Sequence, residues 1–192
     1  SQPARADFYN SLGEAYRRLG QLDEALSSYR RAVALSPDLL PAITGIGGIL
    51  KQQGKLDEAA AHYRQMLGLH PESMELYNNL GNVLQEQGNL EEALAQYKQA
   101  LALRPDCAEV HNNMGGAFYD LARLEEAEAC YKEALRLKPE YAEAHWNNGR
   151  AQLLAGNFEE GWKEYSWRWW TELFRPWTRQ FSRPAWDGRE DI

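Results

Sequence analysis

Residues 74–107, MELYNNLGNVLQEQGNLEEALAQYKQALALRPDC, form a unit of 34 residues that most of the chain repeats. Displacing the sequence by 34 positions in either direction returns the same skeleton. A glycine recurs at one position of the unit, as Gly13, Gly47, Gly81, Gly115 and Gly149. A tyrosine recurs at another, as Tyr29, Tyr63, Tyr97, Tyr131 and Tyr165. Self-similarity at a fixed period of this size is the signature of a stacked repeat architecture.

Each unit is predicted to be two helices joined by a tight turn. In the first half of residues 74–107, apolar side chains recur at spacings of three and four, which places them on one helical face. Gly88 ends this helix, because glycine reaches the left-handed backbone conformation without a Cβ penalty. Asn89 can cap the second helix. Pro105 ends the second helix, because proline biases the residue before it away from helical geometry.

The recurring glycine and tyrosine are predicted to be packing residues. Gly81 and Ala93 let two helix backbones approach closely, while Tyr97 fills the adjacent space as a large apolar wedge. A local kink explains Gly81 less well, since a glycine stands at the same phase in all five units. The structural role therefore extends to the whole set of recurring glycines and tyrosines.

The unit resembles the tetratricopeptide repeat. The residues that meet the family pattern in the central unit are Tyr77, Leu80, Gly81, Ala93, Tyr97, Ala100 and Pro105. The resemblance implies an all-α fold, a right-handed superhelical solenoid whose concave groove is lined by the first helix of each pair. The array is expected over residues 6–165, with repeats at about 6–39, 40–73, 74–107, 108–141 and 142–172. Residues 166–192 are expected to form a capping or linker segment rich in tryptophan and arginine.

Two repeats depart from the pattern. Gly45, Gly47 and Gly48 crowd the first helix of the second repeat. This predicts either a locally weak helix or a smooth patch that a ligand backbone approaches closely. In the fourth repeat, Ala122 stands where the other turns have glycine, so that turn is either strained or of another geometry.

The C-terminal stretch changes character, with six of the seven tryptophans in residues 161–192. The last helix is expected to run on toward Glu172. The tryptophans are interpreted as a cap over the last repeat. The alternatives are an interface with a following domain or second chain, or a sugar or peptide platform. The sequence GWKEYSWRWW, followed by FSRPAWDG, also resembles the junction in bacterial proteins where such repeats precede a glycosyltransferase-like domain.

Composition excludes several function classes. The net charge of -7 argues against nucleic acid and anionic membranes as main partners. No membrane-length apolar run is present in the sequence. The two cysteines, Cys107 and Cys130, have no metal-site spacing and indicate reduced thiols in a reducing compartment, taken as the cytoplasm. His111 and His145 share one repeat position and are interpreted as packing residues. No catalytic constellation, cofactor or metal is predicted.

The strongest functional signal is a row of amides on successive first helices. Asn79, Asn113 and Asn147 share one phase, which faces the groove in the repeat family. The row resembles the asparagine ladder of the O-linked N-acetylglucosamine transferase superhelix, where amides grip a peptide backbone. An amide offers both a donor and an acceptor, which matches peptide groups whatever their side chains. The alternative is that these amides bond locally between repeats. The candidate peptide-binding residues are Asn10, Asn78, Asn79, Asn82, Asn112, Asn113, Tyr119, Trp146, Asn147 and Arg150.

The sequence therefore predicts a protein-interaction module that binds an extended peptide or partner segment in its groove and has no catalysis of its own. One alternative is a scaffold that self-assembles as a homo-oligomer through its terminal repeats. Another is a substrate-recruiting region preceding a glycosyltransferase-like domain.

Overall fold

The computed structural model describes residues 2–171 of the chain. Within that range the chain forms ten α-helices and a final 3₁₀ helix, with no strand, so the predicted all-α fold is confirmed. The first helices of the pairs are α1 (Gln2–Arg18), α3 (Leu40–Gln52), α5 (Met74–Glu86), α7 (Ala108–Asp120) and α9 (Ala142–Leu154). The second helices are α2 (Leu22–Leu35), α4 (Leu56–Leu69), α6 (Leu90–Leu103), α8 (Leu124–Leu137) and α10 (Phe158–Tyr165). We number the five pairs as repeats 1 to 5.

The pairs stack into a solenoid in which each helix touches only near neighbours. Consecutive helices pack against each other along the whole array. The first helices also form a continuous inner layer, since α1 contacts α3, α3 contacts α5, α5 contacts α7 and α7 contacts α9. The second helices make no such contacts with one another in the described chain. An inner layer in contact and an outer layer spread apart curve the stack, so the first helices line its concave face.

The helix starts keep the 34-residue interval, with one difference at the N-terminus. From α3 onward, the first helices begin at residues 40, 74, 108 and 142. Helix α1 begins at Gln2, one turn before the predicted start at residue 6. Pro3 lies in its first turn, where proline is tolerated because its missing N–H would be unpaired anyway. Ala4, a strong helix former, continues the turn.

The turn of repeat 4 keeps the geometry of the glycine turns. Glycine occupies the left-handed position in the other four repeats, with φ between 74° and 88°, at Gly20, Gly54, Gly88 and Gly156. Ala122 adopts φ 57° at the equivalent position. Its turn closes with Arg123 N–H donating to the Phe118 carbonyl at 2.9 Å, as in the other turns. Of the two expectations for this turn, the structure therefore shows the strained one.

The glycine–tyrosine pairs lie at the contact between the two helices of each repeat. A Cβ added to Gly81 would lie 2.5 Å from the Tyr97 ring, and one added to Gly115 would lie 2.6 Å from the Tyr131 ring. Gly13 and Gly47 face Tyr29 and Tyr63 in the same way. In repeat 5 the glycine, Gly149, meets the backbone of Tyr165 instead of its ring. The interior therefore has no room for a side chain at these glycines.

The last helix ends earlier than the sequence pattern indicates. Helix α10 stops at Tyr165, and residues Ser166–Trp170 tighten into a 3₁₀ helix instead of continuing toward Glu172. Trp167 stacks on His145 of α9, with ring centroids 4.1 Å apart and an interplanar angle of 10°. Most of the expected capping or linker segment, 166–192, and the FSRPAWDG part of the glycosyltransferase-like junction fall in residues 172–192, which lie outside the described part of the chain.

Candidate functional site

Two hydrogen bonds join asparagines of neighbouring first helices. Asn113 Nδ2 donates to Asn78 Oδ1 at 3.0 Å, and Asn147 Nδ2 donates to Asn112 Oδ1 at 3.0 Å. The local bonding between repeats, one of the two alternatives, is therefore present. Each bond uses one of the two N–H donors of an amide and one acceptor site of its partner. The half-buried Asn113 and Asn147 each keep a second N–H donor and a carbonyl acceptor that a ligand can meet, while the bond fixes the orientation of the amide.

The predicted site residues differ in how far they reach the groove. Five of the predicted residues line one pocket of the inner surface, together with Gln85, Gly116, Asp120 and Tyr131: Asn112, Asn113, Tyr119, Asn147 and Arg150. Asn82 lines the neighbouring pocket beside Lys51 and Glu86. Asn112 is only 7% exposed, and its side-chain carbonyl oxygen accepts the hydrogen bond from Asn147 at the edge of the first pocket. Half-buried positions are occupied by Asn10, Asn78, Asn79 and Trp146.

The recurring tyrosines also take part in the groove floor through their hydroxyls. Tyr97 donates to Asn82 Oδ1 at 2.7 Å and lies 3.0 Å from Gln85 Oε1. Tyr29 donates to Glu14 at 3.1 Å, and Tyr63 donates to the Thr44 carbonyl at 3.2 Å. Burial raises the pKa of Tyr63 and Tyr97 above its ordinary value, so both hydroxyls remain protonated donors.

The sequence pattern predicted only a packing role for these tyrosines, and their hydrogen bonds were not predicted. The available signal was the spacing of 15 residues that separates Tyr29 from Glu14 and Tyr97 from Asn82, which puts a polar acceptor at the same place in two repeats.

The groove carries both signs of charge. Near its N-terminal end, hydrogen bonds from Arg17 and then Arg18 lower the pKa of Glu14 to about 2. Further along, Lys51 Nζ pairs with Glu86 at 2.6 Å between repeats 2 and 3. These inner-surface ion pairs suit a ligand of mixed polarity better than one of a single charge.

An arginine lies between two aromatic rings at the C-terminal end of the groove. The Arg150 guanidinium carbon is 4.7 Å from the centre of the Tyr119 ring and 5.3 Å from that of Trp146. Cation–π contacts of this kind hold the guanidinium beside the two rings. Nearby, Gln85 Nε2 donates to Asp120 Oδ2 at 2.7 Å.

Other chemistry has little support in the described chain. No group of three or more histidine, cysteine or acidic side chains among residues 2–171 is placed to hold a metal ion. A ring nitrogen of His111 is hydrogen-bonded to the Pro105 carbonyl, and a ring nitrogen of His145 to the Pro139 carbonyl. These bonds agree with a structural role for both histidines. Burial raises the pKa of the Cys130 thiol to about 11, which keeps it an unreactive thiol at neutral pH.

None of the ten described helices combines the length and apolar character needed to cross a membrane.

Several solved structures share this fold at low sequence identity. MamA is 19% identical, with 94% of this chain and 98% of MamA covered and a TM-score of 0.68. PilF of Pseudomonas aeruginosa is 20% identical, with 94% and 79% covered and a TM-score of 0.77. YrrB, described as a tetratricopeptide repeat protein with an unusual peptide-binding site, is 22% identical, with 83% and 82% covered and a TM-score of 0.61. At these identities the likeness concerns the fold alone.

Family models identify the repeats directly, whereas no curated protein matches the sequence significantly. One tetratricopeptide repeat model matches residues 38–106 and 72–140, which together cover more than half of the chain. Two further tetratricopeptide repeat models match residues 6–39 and 142–161. The helix pairs, their stacking and these matches agree, and the chain belongs to the tetratricopeptide repeat family.

Proposed function

We propose that the chain is a protein-interaction module that binds an extended peptide or partner segment in its concave groove. The observation that carries the proposal is the row of Asn79, Asn113 and Asn147 on successive first helices. Two of these amides are held in place by hydrogen bonds to the preceding repeat. Preorganised amides lose less conformational entropy on binding than free ones, which favours affinity.

The spacing of the amides suits an extended ligand. Packed helices lie about 8–10 Å apart, so neighbouring first helices present their amides at roughly that interval. An extended chain advances about 3.3 Å per residue, which brings a peptide group into reach about every third residue. Each amide-to-peptide hydrogen bond contributes about 0.5–1.5 kcal/mol, and their sum gives affinity without dependence on side chains. The peptide-binding site stated for YrrB supports this use of the fold.

A random peptide library panned against the chain tests the proposal. We expect peptides to be enriched on the wild type and lost on the Asn79→Ala/Asn113→Ala variant. The variant should stay folded and lose about 0.5–1.5 kcal/mol of stability with the Asn113–Asn78 hydrogen bond. Asn157→Ala is the matched control, because Asn157 is an exposed amide in a turn and has no side-chain hydrogen bond within the described chain. Equal enrichment on the wild type and the double variant would contradict backbone gripping by these amides. No enrichment on any of them would reject peptide binding.

Self-association is a second candidate, favoured by aromatic side chains exposed at the C-terminal end. Phe158, Trp162 and Trp170 are 64%, 60% and 75% exposed. Apolar surface of this kind on a terminal repeat can bury itself against a second copy. Light scattering over a concentration series distinguishes the candidates: a mass that rises with concentration supports assembly, and a constant monomer mass rejects it.

Recruitment of substrate to a glycosyltransferase-like domain is an alternative that rests on the resemblance of the C-terminal stretch. The family models match tetratricopeptide repeats alone. We propose that residues 1–192 bind partners and catalyse nothing themselves, in a reducing compartment such as the cytoplasm that suits the unpaired Cys107 and Cys130. Binding of a nucleotide sugar to this chain, measured by calorimetry, would contradict the assignment of a purely recruiting role.

A further inference from the structure

The contact between repeats 4 and 5, which we call the fourth joint, buries different residues from the joints before it. In α9, two interior positions carry the amides Asn148 and Gln152, which are only 4% and 8% exposed. The same two positions are apolar in the preceding three first helices, where they hold Ile46 and Leu50, Leu80 and Leu84, and Met114 and Phe118. Two buried amides therefore replace apolar side chains in repeat 5.

The helix face that carries both amides packs on repeat 4. Asn148 and Gln152 are four residues apart, so they lie one turn apart on the same face of α9. Gln152 Nε2 donates to Glu128 Oε1 of α8 at 3.3 Å. Glu128 in turn stands at the position that Leu94 holds in repeat 3, and Lys132 pairs with it at 2.7 Å. Polar groups thus occupy both sides of the fourth joint.

The amides of this joint are not fully hydrogen-bonded. Asn148 Oδ1 and Gln152 Oε1 are both buried, and neither accepts a hydrogen bond from any residue of the described range 2–171. A buried carbonyl oxygen without a donor has given up its hydrogen bonds to water without replacing them. Packing α9 against repeat 4 therefore carries a cost that the apolar joints do not have.

Little apolar burial offsets this cost. The main hydrophobic core runs from α2 into α8 and includes only one fully buried residue of repeat 5, Ala151. A second cluster at the fourth joint is built on three buried alanines, Ala108, Ala134 and Ala144. Alanine buries much less apolar area than leucine, so the hydrophobic contribution to this joint is small.

The groove side of the joint and the interior of repeat 5 are well bonded by comparison. Asn147 Nδ2 donates to Asn112 Oδ1 across the inner edge at 3.0 Å. Within repeat 5, His145 of α9 is hydrogen-bonded to Glu164 of α10 and stacks on Trp167. A joint that is bonded at one edge and unsatisfied inside can open about that edge while the repeat itself stays folded.

We propose that the fourth joint is a hinge at which repeat 5 swings away from repeat 4 as an intact unit. The asparagine bond on the groove side is the pivot. Opening separates α9 from α8 and lets water reach the two amide oxygens, which makes the open state less costly than at an apolar joint. Tyr119 of α7 and Arg150 of α9 line one pocket across this joint, so the hinge sets the width of the groove at its C-terminal end.

Thiol labelling measures the opening. Ala151 of α9 and Ala117 of α7 hold the same repeat position and are 2% and 0% exposed. The equivalent Ala15 of α1, which no described repeat precedes, is exposed, so the preceding repeat covers this position. In a chain freed of its own thiols by Cys107→Ser and Cys130→Ala, we expect Ala151→Cys to react with a disulfide reagent about tenfold or more faster than Ala117→Cys.

Replacing the amides tests their role in the opening. Asn148→Leu and Gln152→Met keep the approximate size of the side chains and remove the two unpaired oxygens. Together they should slow labelling at residue 151 by about tenfold and leave residue 117 unchanged. Faster labelling at residue 151 that this double variant leaves unaltered would overturn the assignment of the hinge to the amides.

Amide hydrogen exchange separates a swing from unfolding of repeat 5. A swing exposes residue 151 but keeps the backbone hydrogen bonds of α9, so the α9 amides should be protected about tenfold or more better than the thiol. Equal protection of thiol and amides, or equal labelling at residues 117 and 151, would reject the hinge. These two comparisons leave the amides in place, so they decide the outcome even where the double variant does not fold. They also involve no peptide, so the hinge is tested independently of the proposed peptide binding.

Discussion

The recurring tyrosines share one backbone position but four different hydroxyl environments in repeats 1 to 4. The Tyr29 hydroxyl lies against a carboxylate, that of Tyr63 against a backbone carbonyl and that of Tyr97 against two side-chain amides. Tyr131 faces an open pocket. The ring packs against the recurring glycine in all four. The scaffold role is therefore constant, and the polar end of the side chain is free to vary between repeats.

Removing the hydroxyl should have opposite consequences in two repeats. Tyr97→Phe loses the bond to Asn82 and leaves the Gln85 carbonyl without its neighbour, so we expect a loss of about 1–2 kcal/mol in the free energy of unfolding. Tyr131→Phe removes a hydroxyl that forms no hydrogen bond with residues 2–171, so stability should stay the same or rise slightly. Urea denaturation of both variants measures the difference. Equal losses in the two would show that Tyr131 has an internal partner.

Acid should selectively weaken the N-terminal repeat through Glu14. Its pKa in the folded chain is about 2, against 4.5 as the ordinary value, chiefly because Arg17 donates to it. A lowered pKa means that the stabilisation is complete above about pH 4.5 and is lost as the pH falls toward 2. The side chain is 35% exposed, so we expect the contribution to remain below about 1 kcal/mol.

The unfolding midpoints of wild type and Glu14→Gln measure this contribution across the acid range. The variant should be less stable than the wild type at neutral pH, and the difference between their unfolding midpoints, the gap, should shrink as the pH falls. Glu140→Gln, which alters an exposed carboxylate with no ion pair to any described residue, should show no such gap. A gap for Glu14→Gln that persists at pH 2 would contradict the assigned ion pair.

The amide row was visible in the sequence, but its bonding was not. A period of 34 residues gives the phase of Asn79, Asn113 and Asn147 on their helices. Which amides meet across repeats depends also on the tilt and rise between stacked helices. Asn113 consequently bonds to Asn78, 35 residues away, instead of to the in-phase Asn79. The same geometry leaves Asn112 only 7% exposed at the edge of the groove pocket that it lines.

Among the elements, the five turns repeat one geometry with two residue types. Glycine adopts positive φ freely, whereas alanine at Ala122 places its Cβ close to the backbone carbonyl. The surrounding helices α7 and α8 hold the turn in this conformation, since their pairing is the same as in the other repeats. The strain is local and should be removable.

Replacing Ala122 by glycine should therefore stabilise the chain. The left-handed conformation costs alanine about 1–2 kcal/mol, and glycine returns about 0.4–1 kcal/mol of that through the greater freedom of its unfolded chain. We expect a net gain of roughly 0.5–1 kcal/mol and a higher melting temperature, measured by calorimetry. Gly88→Ala is the reciprocal control and should lose a similar amount, because a Cβ there meets no atom within 4 Å and only the backbone is strained.

The helices themselves could be predicted because their signals are local. Glycine, proline and apolar spacing mark the ends and faces of α5 and α6 within the unit itself. The end of α10 could not, because it depends on Trp167 stacking against His145 of α9. A contact between two helices produces no periodic signal in the sequence. The repeat pattern alone therefore predicted a longer helix than the structure has.

At the scale of the whole molecule, stability is shared between neighbours. Each repeat packs only against those beside it, so an internal repeat buries two faces and a terminal one buries a single face within residues 2–171. In such arrays the total is close to a sum of repeat and interface contributions. The described ends should therefore open more readily than the centre.

Amide hydrogen exchange should reveal this gradient. We expect the slowest exchange in α5 to α8 and faster exchange in α1 and α10, without global unfolding. The glycine-rich α3 should exchange faster than α5 and α7 if its glycines only weaken the helix, since interior glycine costs about 0.5–1 kcal/mol each relative to alanine. Uniform protection from α1 to α10 would contradict the nearest-neighbour account.

The polar bonds across the inner surface are unevenly distributed, and this has a mechanical consequence. Lys51 and Glu86 link repeats 2 and 3, and the asparagine bonds link repeats 3, 4 and 5. No side-chain hydrogen bond or ion pair of the described residues joins α1 to α3. The Glu14 carboxylate accepts instead from Arg17, Arg18 and Tyr29 inside repeat 1. Gln53 donates to Asp23 on the outer side of this joint, so the two repeats are linked away from the groove only. Treating the array as an elastic rod, we expect a tensile load across the groove to open the inner face first between α1 and α3, where it lacks such side-chain bonds.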